Sequence, residues 1–218
     1  FHWVAVLTGS KNVVKGVGFL LGAALLAGIG FVGAVWAMAG VLAVILMAVV
    51  IAMPPGLPRG RKGAKFSEVF SKSANVNWLS AARVFLFGAR DVWFVVGIPI
   101  YFYGVLSDGS EAGNRAAFFL IGTFMAGWII LYGAVQASAP KILRARSRPE
   151  AALIAAARGW ALALCGVPAV LTALALMAGG AQPWLTVALV AGLLVFGAIF
   201  AVNSALHSYL ILAFTRAE

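Results

Sequence analysis

Acidic side chains are scarce in this sequence. Six Asp and Glu stand against sixteen Lys and Arg in 218 residues, and charged residues together make up only 10%. Soluble domains carry about 25%. Hydrophobic residues fill 63% of the positions and the mean hydropathy is +1.03, so a soluble globular fold is excluded and the surrounding medium must be lipid. Histidine (two) and cysteine (one) are equally scarce. A lone Cys165 excludes an intrachain disulfide and reads as a small core- or lipid-facing residue. With so few ligands and no carboxylate cluster, neither a metal site nor a nucleophilic triad can be assembled. Neither an enzyme nor a cofactor is therefore expected. The net charge of +10 raises nucleic acid as a partner, but most basic residues sit in two short loops between apolar runs, where bilayer orientation explains them. The GxGxxG-like spacing around Gly16 has no strand before it and carries no weight.

What is present is long apolar runs. A helix crossing roughly 30 Å of hydrocarbon needs about 20 residues, and six stretches qualify: Trp3–Gly30, Gly33–Met53, Val76–Tyr103, Arg115–Ala139, Ala151–Ala178 and Trp184–Phe214. An all-α polytopic bundle follows, with tight turns at Gly30–Gly33, Ser107–Ser110 and Gly179–Pro183. The loop 54–75 holds Arg59, Arg61, Lys62, Lys65 and Lys72 against Glu68; the loop from Pro140 to Glu150 holds Lys141, Arg144, Arg146 and Arg148. Two spans separate these loops, so they share one side, which the positive-inside rule makes cytoplasmic. Phe66, Val69 and Phe70 recur at helical spacing beside Lys65 and Lys72, as in a short amphipathic helix on the inner leaflet. The chain opens at Phe1 inside an apolar run with no signal-peptide layout and closes at Glu218 soon after another. Both ends read as truncations of a longer protein.

Charges inside the spans are the informative residues, because each costs roughly 2.5–3.5 kcal/mol at mid-helix on insertion scales. Arg83 lies about 10 Å into the third span, where its stem can snorkel back to the interface or line a cavity. Arg90 has about 20 Å of helix on either side, too far to snorkel. It shares a face with Arg83, so the two cations are expected to line a wet, anion-receiving cavity. Asp91 points about 100° away and is poorly placed to pair with Arg90; a structural or gating ion pair with another helix, or a coupling proton, are its two readings. In the first span Lys11 and Lys15 share a face, flanked by Thr8 and Asn12. They either reach the headgroups or rim the same cavity, where guanidinium and ammonium groups would grip phosphate or carboxylate. Gly18 and Gly22 form a small-xxx-small pair for close helix approach, or mark a gating helix. Asn203 and His207 share a face of the last span, for an interhelical hydrogen bond or proton handling. Arg158 is open between snorkelling and lining a cavity, and Gln136 fits helix packing.

Several long strings resemble the organoarsenical efflux permeases of the ArsJ type. They are Trp3-Val4-Ala5-Val6-Leu7-Thr8-Gly9-Ser10-Lys11-Asn12 with Lys15-Gly16-Val17-Gly18-Phe19; Phe70-Ser71-Lys72-Ser73; Leu79-Ser80-Ala81-Ala82-Arg83; Leu86-Phe87-Gly88-Ala89-Arg90-Asp91-Val92-Trp93-Phe94-Val95; and Asn203-Ser204 with Leu206-His207-Ser208-Tyr209-Leu210. That family belongs to the major facilitator superfamily, with twelve helices in two bundles. The resemblance implies that the six spans are the fifth to the tenth: residues 1–53 would end the N-terminal bundle, 54–75 would be the central cytoplasmic loop, and 76–218 would begin the C-terminal bundle. It also implies export of 1-arseno-3-phosphoglycerate across a bacterial inner membrane for arsenate resistance. The functional partner would be the glyceraldehyde-3-phosphate dehydrogenase that forms this compound. The residues themselves suggest Lys11, Asn12, Lys15, Arg83 and Arg90 as a site for a small anionic substrate, with Asp91, His207 and Asn203 for coupling or gating.

Overall fold

The computed structural model describes residues 2–54, 73–145, 147–177 and 183–216. The amphipathic helix expected around Phe66, Val69 and Phe70, nearly all of the 54–75 loop, Arg146 and the 179–182 breaker lie outside them. The described chain is helical throughout: α1 (His2–Ala52), α2 (Ala74–Asp91), a π-helical segment (Val92–Gly97), α3 (Ile98–Leu106), α4 (Glu111–Ile142), α5 (Glu150–Met177) and α6 (Pro183–Arg216). Among the described residues, five helices are long and apolar enough to cross a membrane, with Ala74–Leu106 counted as one. The chain is a multi-pass, all-helical protein of apolar exterior, as its composition requires.

The first two expected spans appear as the single 51-residue α1. The four-residue turn expected at Gly30–Gly33 is replaced by a break at one residue, Gly30 (φ 71, ψ 177). That conformation is essentially closed to residues with a Cβ, so glycine alone permits it and its neighbours stay helical. The arms 2–29 and 31–52 are each long enough to cross on their own. Beyond Gly30 only Ala34 of α1 is buried, whereas the first arm is gripped along its length.

Small residues set that grip. Ala5, Gly9, Gly16 and Ala23 of α1 are buried and meet α4 from its C-terminal to its N-terminal half. A Cβ on Gly133 would come within 2.6 Å of the Gly9 carbonyl oxygen, one on Gly16 within 2.9 Å of the Ala126 carbonyl, and one on Gly122 would strike Ala23. The two helices are thus antiparallel and nearly in backbone contact. Gly18 and Gly22, the expected close-approach pair, have nothing within 4 Å of the point where a Cβ would stand. The contact follows a stripe near seven-residue spacing, and these two glycines fall off it.

Aromatic residues fill the centre. The Trp128 indole donates to the Leu193 carbonyl at 2.8 Å, and its ring lies 4.5 Å from Phe94 and stacks on Tyr132 at 5.6 Å. Phe200 of α6 meets Phe87 and Tyr132. These contacts run α6 parallel to α4 and antiparallel to the Ala74–Leu106 span. The π-helical turns have a local cause. Pro99 has no N–H to donate to the Val95 carbonyl, and the preceding backbone widens so that Ile98 N–H reaches Trp93 O instead. Pro140, expected to open a loop, sits inside α4, since a proline so near a helix end disturbs few bonds. At the opposite end, Ser107–Ser110 form the expected polar turn. The Ser110 hydroxyl (2.7 Å) and backbone N–H (2.9 Å) both donate to Asp108 Oδ1, holding that carboxyl below its usual range.

Candidate anion-binding cleft

Arg90 is the midpoint of the Ala74–Leu106 span, and its side chain is only 16% exposed. Its guanidinium lies 4.8 Å from the centre of the Phe87 ring and 5.5 Å from that of Phe200. Arg83, one heptad earlier, lies 4.9 Å from the same Phe87 ring. The expected common face is therefore real, with an aromatic plate shared between the two cations. Such contacts contribute about 0.5–2 kcal/mol each according to desolvation, which offsets part of the cost of a cation at mid-membrane.

Asp91 corrects an expectation. It pairs with Arg90: Nε donates to Oδ1 at 2.7 Å and Nη2 approaches it at 2.5 Å. The backbone does send adjacent side chains apart, but the long arginine stem folds back along the helix flank and closes the gap. Asp91 remains 52% exposed, and among the described residues no other helix pairs with it.

Both residues open onto a cleft of about 960 Å³ between the first arm of α1, the Arg90 region and α4. Asn12, Lys15, Gly18, Phe19 and Phe94 also line it. Phe19 and Phe94 meet edge to face at 5.8 Å, forming an apolar wall beside the charged groups. Of the expected substrate residues, the structure brings Asn12, Lys15 and Arg90 together. Lys11 is exposed but not on this cleft: it shares the face of Lys15 but lies one helical turn nearer the start of α1, beyond the end of the lining. Arg83 is also outside the lining; its Nη1 donates to the Ser208 hydroxyl at 3.1 Å. Arg158 and Cys165 are exposed on α5, away from the cleft.

A buried polar ladder backs the cleft. Asn12 Nδ2 donates to Gln136 Oε1 at 2.7 Å, and Gln136 Nε2 donates to Ser204 Oγ at 3.1 Å. Ser208 Oγ donates to the Ser204 carbonyl at 3.0 Å and receives Arg83. One chain of hydrogen bonds thus links α1, α4, α6 and α2. Gln136, read from sequence as packing, is its centre and is completely buried. Asn203 and His207 do not make the interhelical bond expected of them: among the described residues both Asn203 amide atoms and His207 Nδ1 are buried without a hydrogen-bond partner, as is the Tyr132 hydroxyl. Ser204, one residue round the helix, takes the bond because it faces Gln136. Sequence reading missed Phe87 and Tyr132 altogether. The signal for Tyr132 was its i, i+4 spacing with Gln136 on an otherwise apolar helix.

No family model, curated protein or solved structure matches the chain.

Proposed function

We propose that this chain belongs to a secondary active transporter that exports a small organic anion, with 1-arseno-3-phosphoglycerate as the anion and inward proton movement as the driving force. The observation that carries the reading is the cleft: Arg90 at mid-span, joined by Lys15 and Asn12, faces an open space of about 960 Å³. A guanidinium held at mid-membrane by aromatic contacts is costly for a protein that only scaffolds, and it suits phosphate or carboxylate oxygens. The organoarsenical rests on the sequence strings resembling the ArsJ-type permeases. Another organic anion, such as a sugar phosphate, would meet the same cationic groups.

The helix directions support a six-span arrangement. The first arm of α1 and the Ala74–Leu106 span run the same way, since Lys15 lies beside Arg90 on the cleft and Phe19 beside Phe94. Residues 31–52, set off by the break at Gly30, would be the return crossing between them. In this reading Asp91, paired with Arg90, competes with the anion for the guanidinium.

Arsenate survival of a sensitive bacterial host tests the function. The host would carry the full reading frame containing this chain, with and without the partner dehydrogenase. Protection should require both proteins. Failure to protect, with the transporter inserted and the dehydrogenase active, would remove the organoarsenical and leave another anion as substrate.

A further inference from the structure

A second hollow lies far from the cleft, at the end of the bundle where α1 begins and α4 and α6 finish. It encloses about 540 Å³ and its lining includes His2, Lys141, Arg144, Ser147 and Tyr209, with Leu153 as part of its floor. Among the described residues no carboxylate lines it; Glu150 starts α5 nearby but lies outside the lining. Two permanent cations, an imidazole and two hydroxyls therefore surround one space.

The loop that carries the cations is tightly folded. Ala145 N–H donates to the Pro140 carbonyl and Arg144 N–H to that of Lys141, both at 3.0 Å. The Ser147 backbone N–H and hydroxyl both donate to the Arg144 carbonyl at 3.0 Å. Arg144 itself has φ 50, the only positive φ outside glycine among the described residues. An arginine kept in the left-handed region, where glycine or asparagine fits with less strain, suggests that the side chain is needed there.

Guanidinium and ammonium groups match phosphate oxygens, the first by a bidentate fork and the second as a point charge. The hollow sits at the ends of apolar spans, the depth of lipid headgroups, where basic pockets between helices meet anionic lipid. Ile142, next to Lys141, is 48% exposed on the outside of the bundle and offers an apolar bed for an acyl chain. We propose that this hollow is a binding site for the phosphate headgroup of an anionic phospholipid. The proposal is independent of the transported substrate.

The test uses the full-length protein, delipidated in detergent and offered phosphatidylglycerol or phosphatidylcholine, with bound lipid counted by native mass spectrometry. One phosphatidylglycerol should be retained roughly tenfold more strongly than phosphatidylcholine, as two cations near an anionic headgroup allow. Lys141→Gln with Arg144→Gln should abolish the preference, and Lys11→Gln should keep it. Arg144→Gly guards against a folding artefact: it suits the backbone better while removing the guanidinium, and it should also lose most of the preference. Equal retention of the two lipids by the wild type would overturn the proposal. So would displacement of the lipid by millimolar inorganic phosphate, which would make this a site for free phosphate.

Discussion

Arg90 and Asp91 make a pair whose partners have unequal freedom. The guanidinium is mostly buried against Phe87 and Phe200, while the carboxylate is half exposed to the cleft. Under the proposed function, an incoming anion would have to take Arg90 from Asp91. Exposed pairs contribute about 0.2–1 kcal/mol, so Asp91→Asn should tighten anion binding only about twofold to fivefold. Titration of purified full-length protein with 3-phosphoglycerate, a stable phosphorylated carboxylate, would measure this, and weaker binding in the variant would contradict the competition. Gln136 carries a different burden, since it satisfies both Asn12 and Ser204 inside the bundle. Gln136→Leu leaves those two groups buried and unpaired, at a cost of about 1–3 kcal/mol. Unfolding in a denaturing detergent should show that loss; an unchanged midpoint would mean the ladder adds no stability. The pairing of Arg90 with its neighbour was illegible in the sequence because helical spacing fixes where Cβ atoms point, not where a long side chain ends.

The helices show which glycines matter. Gly133 lies against the Gly9 carbonyl, a backbone atom that no rotamer change can move, so Gly133→Ala should push α1 from α4 and cost about 1–3 kcal/mol. Gly18→Ala meets nothing within 4 Å and should stay within about 0.5 kcal/mol. Equal effects of the two substitutions on detergent unfolding would contradict the observed α1–α4 contact. Gly30→Ala forces a Cβ into a glycine-only conformation and should cost about 1–3 kcal/mol. Hydropathy located these helices well: α5 (Glu150–Met177) and α6 (Pro183–Arg216) begin and end within about two residues of their expected bounds. It located packing poorly. Gly18 and Gly22 fit a familiar spacing, but α1 is rich in small residues, and only three-dimensional contact selects Gly9 and Gly16. The π-helical turns before Ile98 were equally hidden, although Pro99 was their visible cause.

Across the whole molecule, charge and direction agree. His2, Lys141 and Arg144 gather around one hollow, which puts the start of α1 and the end of α4 at the same end of the bundle, as the proposed six-span arrangement would require. The basic loop after α4 was legible as the mark of one side; the shared hollow was not, because it joins residues from opposite ends of the sequence's first two thirds. The cleft was partly legible. Arg90 stood out by its depth, but the exclusion of Lys11 and Arg83 depends on where the cleft ends along the helix axes, one or two turns from Lys15 and Arg90 on the same faces, which helical periodicity does not give. The central claim is that Arg90 in this cleft handles an exported organic anion. Arsenic leaving dehydrogenase-expressing cells, followed over time after arsenate loading, tests it most directly, with wild-type and Arg90→Ala proteins inserted at equal levels. The account predicts steady efflux with the wild type and only background efflux with Arg90→Ala; equal efflux from both would contradict it.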